Sequence, residues 1–185
     1  LKQQLYEASM VLAANEGELV PIRHLDTLNF ASVSIGDGKA TVYQHYLSKY
    51  SKVDAFTLNK NSDVSAFNAL LAELKNYNTV LVSLHDMSKY ASKKHGITTN
   101  TLNCINQLNG QAKVLLTVCG SPYALKKFDL QNWVLLAHEE DELAQKVAAQ
   151  VWFGAIGVNG FMPVTASDKY AYGNGLISQN IGRLR

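Results

Sequence analysis

The sequence predicts a three-layer α/β/α sandwich built on a mainly parallel sheet of five or six strands, and three observations carry that expectation. The chain has 185 residues, of which 47% are apolar and 17% charged, the size and composition of a domain that buries its own core without staples. Short apolar runs alternate along it with helical patterns, the order that strand–helix–strand units produce. Those runs are close to continuously apolar, as expected of strands covered on both faces.

From Leu1 to Asn15, Leu1, Leu5, Ala8 and Leu12 recur at three and four, the period of one helix face, so a helix is expected there, ended by Gly17. The strands are expected at Phe30–Ile35, Val53–Leu58, Thr79–Leu84, Val114–Val118 and Trp133–Ala137. Helices fill the gaps at Ala40–Tyr50, Val64–Tyr77, Thr99–Leu108 and Glu140–Phe153. Asp63 is placed to cap the second of these through the free amides of its first turn, and Glu139, Glu140, Asp141 and Glu142 stand at the start of the last. After Gly154 the helical pattern stops. Gly157, Gly160, Gly173 and Gly175 then punctuate a tail expected to wrap back along the domain. The division follows: helix and linker over 1–28, the sandwich over 29–167, and a C-terminal tail over 168–185.

Charge and cysteine usage narrow the chemistry. A net charge of +2 from 17 basic and 15 acidic residues is too small for a phosphate-binding surface unless the charges cluster, and along the sequence they do not. Nucleic acid is not an expected partner. Cys104 and Cys119 are expected as buried, idle thiols. Without a CxxC motif or a Cys/His cluster, no metal or other cofactor is expected. No apolar run reaches the ~18 residues a membrane helix requires, so no membrane partner is expected. Leu1 is not an initiator methionine, and the chain is expected to come from something longer.

Two motifs fail on spacing. Gly36-Asp37-Gly38-Lys39 follows a strand and opens a helix, but a phosphate loop needs a glycine where Val33 stands and a hydroxyl residue where Ala40 stands. A dinucleotide fingerprint fails at Thr41, which leaves a tight turn. Gly120-Ser121-Pro122 is no nucleophile elbow, because Cys119 and Tyr123 occupy its glycine positions. Ser121 is therefore a turn or cap residue.

The histidines lack the spacing of a metal pair, and His45 is expected in solvent. His85-Asp86 and His138-Glu139 fall just past the carboxyl ends of strands, the rim where open α/β sheets gather ligands. Either pair suits proton transfer to a bound sugar or acyl group, or caps the following helix. The loop from His85 to Gly96, with Lys89, Lys93, Lys94 and His95, is the longest polar insertion on that rim. His85, Asp86, Lys89, His95, His138 and Glu139 are thus the candidates for substrate or domain-interface contacts.

Three segments in order resemble the C-terminal α/β-sandwich domain of glycoside hydrolase family 3. Glu7-Ala8-Ser9-Met10-Val11-Leu12 running to Asn15-Glu16-Gly17-Glu18-Leu19-Val20-Pro21-Ile22 is similar to the segment by which that family leaves its catalytic barrel, and a strand ending Ser34-Ile35-Gly36 follows. The second segment is Val114 to Tyr123. The third, Phe153-Gly154 with Gly160-Phe161-Met162-Pro163-Val164-Thr165, is similar to the family's closing signature. All three prolines fall in these matches. The resemblance implies a (β/α)8 barrel as partner domain in the parent chain, with sugar reached only through that barrel. It further implies a periplasmic or extracellular parent.

In β-glucosidases of the family the loop after the third strand supplies a Glu and an Asp-Arg motif. Here His85 to Gly96 has neither, which points to the β-N-acetylhexosaminidase branch, whose catalytic groups lie on the barrel. Retaining hydrolysis needs a nucleophilic carboxylate and an acid/base group flanking one bond, and the chain offers no matched pair, so it is expected to be inactive alone and to have no catalytic residue. Tyr170 to Leu176 resembles the junction to a further β-lactamase-like domain. Two alternatives remain: a stand-alone flavodoxin-like ligand-binding or signalling module, and a hydrolase using His85-Asp86 or His138-Glu139.

Overall fold

The computed structural model describes all 185 residues. Six strands, β1 (Val11–Asn15), β2 (Phe30–Gly36), β3 (Val53–Asn59), β4 (Thr79–Leu84), β5 (Lys113–Val118) and β6 (Trp133–Leu136), form one sheet in the order β1-β6-β5-β4-β2-β3. All neighbours are parallel except β1, which runs antiparallel to β6. Helices α1 (Lys2–Ser9), α2 (Val42–Leu47), α3 (Val64–Glu73), α4 (Thr99–Leu108) and α5 (Glu142–Trp152) cover it. One cluster of 26 buried residues, including Phe67, Leu71 and Ile105, lies against α3 and α4, and one of 21, including Tyr43, Leu47 and Trp152, against α2 and α5. The two are of comparable size, so the sheet is a true middle layer and the sandwich expectation holds.

The first helix departs from expectation. It ends at Ser9, Met10 turns extended (φ −60°, ψ 133°), and Val11–Asn15 becomes an edge strand. The helical period of Leu5, Ala8 and Leu12 is overridden because the edge of β6 would otherwise leave a row of backbone groups unpaired. None of the residues of α1 is buried, whereas Met10, Val11, Leu12 and Ala14 are. The other correction is at β3, which forms the far edge and is only partly covered, with alternate residues reaching solvent. The other helices fall within the expected segments, α2 being several residues shorter.

Local chemistry sets the helix starts. Thr41 and Gln44 form a reciprocal capping box at α2, Asp63 accepts from the Ala66 amide at α3, and Asp141 from the Leu143 amide at α5. Each cap is worth about 1 kcal/mol. Beneath the sheet, Trp152 Nε1 donates to Thr117 Oγ1 (2.8 Å), whose hydroxyl donates to Tyr43 (3.0 Å), so three buried polar groups satisfy one another. The tail does wrap back: Leu176 donates to Leu12, Val158 and Ser178 exchange backbone bonds, and Arg183 donates to the carbonyls of Ile22 and Phe153.

Candidate functional site

The carboxyl ends of β4, β5 and β6 open on a cavity of about 590 Å³, lined by Met87, Ser88 and Lys89 after β4, Cys119 to Ser121 after β5, and His138 to Asp141 after β6. The chain reversal between β2 and β4, where a doubly wound sheet usually admits a ligand, is closed. A methyl group added at Gly36 would sit 2.8 Å from His85 Cβ, and His85 is buried, so the two strand ends pack directly against each other there. That geometry weighs against the flavin-binding alternative.

His85 is a buried post. It is 3% exposed, its Nε2 lies 2.9 Å from Ser83 Oγ, and its Nδ1 lies 3.4 Å from Glu140 Oε1. Serine, histidine and carboxylate stand in the order of a hydrolytic triad, but Ser83 is wholly buried within β4, so no substrate carbonyl can reach it. The arrangement is structural. Glu140 Oε2 also accepts from the Asp86 amide (2.6 Å). Burial pulls the Glu140 carboxyl upward, yet His85 and that amide outweigh it and hold the group below the usual carboxylate range. Lys60, at the end of β3, pairs with Asp86 Oδ2 at 2.7 Å and also donates to the Asp86 carbonyl. Lys60, Asp86, Glu140 and His85 thus tie β3, β4 and α5 together.

His138 adopts a left-handed conformation (φ 62°) while the Glu139 amide donates to the Ala137 carbonyl at 2.7 Å. That is a γ-turn of the rare, strained hand, in the lining of this cavity. Burial, against a weaker contribution from the Ser9 carbonyl, lowers the imidazole's proton affinity. Glu139 accepts from the Tyr6 hydroxyl (3.2 Å), and Asp141 pairs with Lys2 (2.7 Å). Cys119, in the cavity floor, is held protonated by burial and by Glu140, so it is no nucleophile. Cys104 is buried as well, its thiol pushed up to about 11 by desolvation.

The six candidates therefore separate. Lys89, His138 and Glu139 line the cavity, His85 and Asp86 support it from behind, and His95 lies inside its own loop, 2% exposed. Reading the sequence alone missed Lys60 and Glu140 as the tie between strands, as well as the lining role of Met87 and Ser121. All four directly follow a strand or its turn, and that position was the available signal. Gly36 to Lys39 is the tight turn expected, closed by an Asp37–Lys39 pair, and His45 is exposed. No grouping of three or more metal-ligating side chains occurs.

Neither any family model nor any curated protein sequence matches this chain. Solved structures do. A fungal multi-domain glycoside hydrolase family 3 β-N-acetylglucosaminidase superposes with a TM-score of 0.71 at 16% identity, over 90% of this chain and 19% of its own. The family 3 β-N-acetylglucosaminidase of Paenibacillus sp. str. FPU-7 gives 0.72 at 16% identity, over 89% and 32%. A family 3 exo-β-xylosidase gives 0.70 at 13% identity, over 95% and 30%. The chain spans about a fifth to a third of the length of these enzymes. At such identities the likeness establishes the fold.

Proposed function

We propose that this chain is the α/β-sandwich domain of a family 3 glycoside hydrolase of the β-N-acetylhexosaminidase type, a non-catalytic domain that packs on a (β/α)8 barrel and shapes one wall of its sugar pocket. The observation that carries the reading is the agreement of fold and share: nearly all of this chain matches part of each of several family 3 enzymes.

The rim supports the non-catalytic role. Retaining hydrolysis needs a nucleophilic carboxylate and an acid/base group, both free to reach one glycosidic bond. Here Glu140 is engaged by His85 and the Asp86 amide, Asp141 by Lys2, and Asp86 by Lys60. These carboxylates build the wall and hold the loop after β4 in place. The loop from Asp86 to Gly96 contains no glutamate and no arginine, so a general acid would have to come from the barrel.

The test is the product of the full reading frame that encodes this chain, assayed with an aryl N-acetyl-β-glucosaminide and an aryl β-glucoside. The reading expects a barrel with a catalytic aspartate in that product and hydrolysis of the N-acetylated substrate in preference to the other. A reading frame without a barrel contradicts it, and a preference for the glucoside removes the hexosaminidase assignment.

A further inference from the structure

Two short turns stand side by side on the rim, Ala91–Gly96 after β4 and Pro122–Lys127 after β5. They are joined at the base, where a methyl added at Gly120 would meet Met87 Sδ at 2.8 Å. Together with Lys89 they present Lys93, Lys94, Lys126 and Lys127, and none of these five lysines makes an ion pair. The only acidic residue within 86–96 and 119–127 is Asp86, already taken by Lys60. Five lysines on and beside neighbouring turns, none of them in an ion pair, raise the local positive potential, and an anion brought to that lip gains from it. Between the lysines, Tyr90 is 66% exposed and Tyr123 is 49% exposed.

The loop that carries most of this charge has a fixed shape. It folds back so that Ser88 donates to the His95 carbonyl (3.0 Å), Gly96 lies against residues 86–88, and His95 fills the interior. Asp86, Lys94 and His95 all hold left-handed backbone, a conformation that non-glycine residues keep only where the surroundings impose it. Lys93 Nζ sits 5.9 Å from the centre of the Tyr90 ring, within cation–π range.

We propose that these two turns form a binding surface for an anionic glycan, a sugar chain that bears carboxylates. The inference rests on the domain reading above, which supplies carbohydrate as the ligand class; charge and aromatic exposure supply the rest. Lysine ammonium groups are point charges that accept carboxylates from many directions, and tyrosine offers a flat apolar face with a polar tip for a sugar ring. A nucleic acid fits less well. Glu139, Glu140 and Asp141 line the same cavity as Lys89 and repel a phosphate backbone that extends into it, whereas a short carboxylated sugar needs only the basic lip.

The experiment is calorimetric titration of the 185-residue chain with oligogalacturonate, with a neutral β-1,4-glucan oligomer and with single-stranded oligo(dT). The proposal expects binding of oligogalacturonate that weakens with salt, none of the neutral oligomer, and oligo(dT) at least about tenfold weaker. A Lys89→Gln, Lys93→Gln, Lys94→Gln triple variant, with its circular dichroism unchanged, is expected to lose about tenfold in affinity. Replacing Tyr90 and Tyr123 by alanine lowers it further. Unchanged affinity in the lysine variant, or oligo(dT) binding as tight as the glycan, overturns it. A parent enzyme active on N-acetylhexosaminides whose sandwich domain ignores oligogalacturonate sinks this surface and spares the domain reading. Salt-sensitive binding of oligogalacturonate by the domain of a parent without glycosidase activity sinks the domain reading and leaves the anionic-glycan surface standing.

Discussion

The two sides of the rim cavity are built from opposite chemistry. After β6 the wall is acidic, and Glu139, Glu140 and Asp141 each have a partner, in Tyr6, His85 and Lys2. After β4 and β5 the lip is basic, and its lysines have no acidic partner. The paired side therefore belongs to the architecture, since it holds α1, α5 and the loop after β4 in register. The unpaired side does nothing evident for the fold, and charge kept together without structural use is the signature of a surface that meets something else.

Substitutions on the two sides should divide accordingly. The largest effect is expected from His85→Ala, which empties a buried site over Gly36 and leaves Ser83 without its partner; a loss of about 3 kcal/mol in urea unfolding is the expectation. Glu140→Gln comes next, at about 1 kcal/mol, because the group is half-exposed and its interactions are screened. The same variant should also blunt the acid limb. The folded-state carboxyl titrates below its ordinary value near 4.5, so its stabilisation is present above that value and disappears as the pH falls through the depressed one.

A smaller effect on the same wall belongs to His138. Its folded-state proton affinity lies below the ordinary imidazole value of 6.5. The unfolded chain therefore takes up the proton more readily, and stability should decline as the pH drops below about 6.5. Thermal melts from pH 7.5 to 5.5 should show a shallower decline in His138→Gln than in the unsubstituted protein. On the basic lip, the triple glutamine variant of Lys89, Lys93 and Lys94 should leave stability within about 0.5 kcal/mol. A large loss there would erase the contrast between the two sides.

The sandwich was legible in the sequence because parallel central strands must be apolar on both faces. Phe30–Gly36, Thr79–Leu84 and Lys113–Val118 announce themselves that way. The edges were not legible. Val11–Asn15 carries a helical period and becomes a strand only because β6 needs a neighbour, a demand made by tertiary structure. The rim positions His85 and His138 could be found because they follow strands, but burial could not. His85 and His95 look alike in a polar loop, and packing alone makes one a post and the other a plug. Nor could the basic lip be seen, since Lys93 and Lys126 lie far apart along the chain and their turns become neighbours only when β4 and β5 pair.

The central claim is that the groups that break a glycosidic bond are not in this chain. The most direct measurement is turnover of an aryl N-acetyl-β-glucosaminide by the purified 185-residue protein at high enzyme concentration. The account predicts no hydrolysis above the uncatalysed rate. Hydrolysis that is saturable and abolished by His85→Ala or His138→Ala would place catalysis on this rim and contradict it.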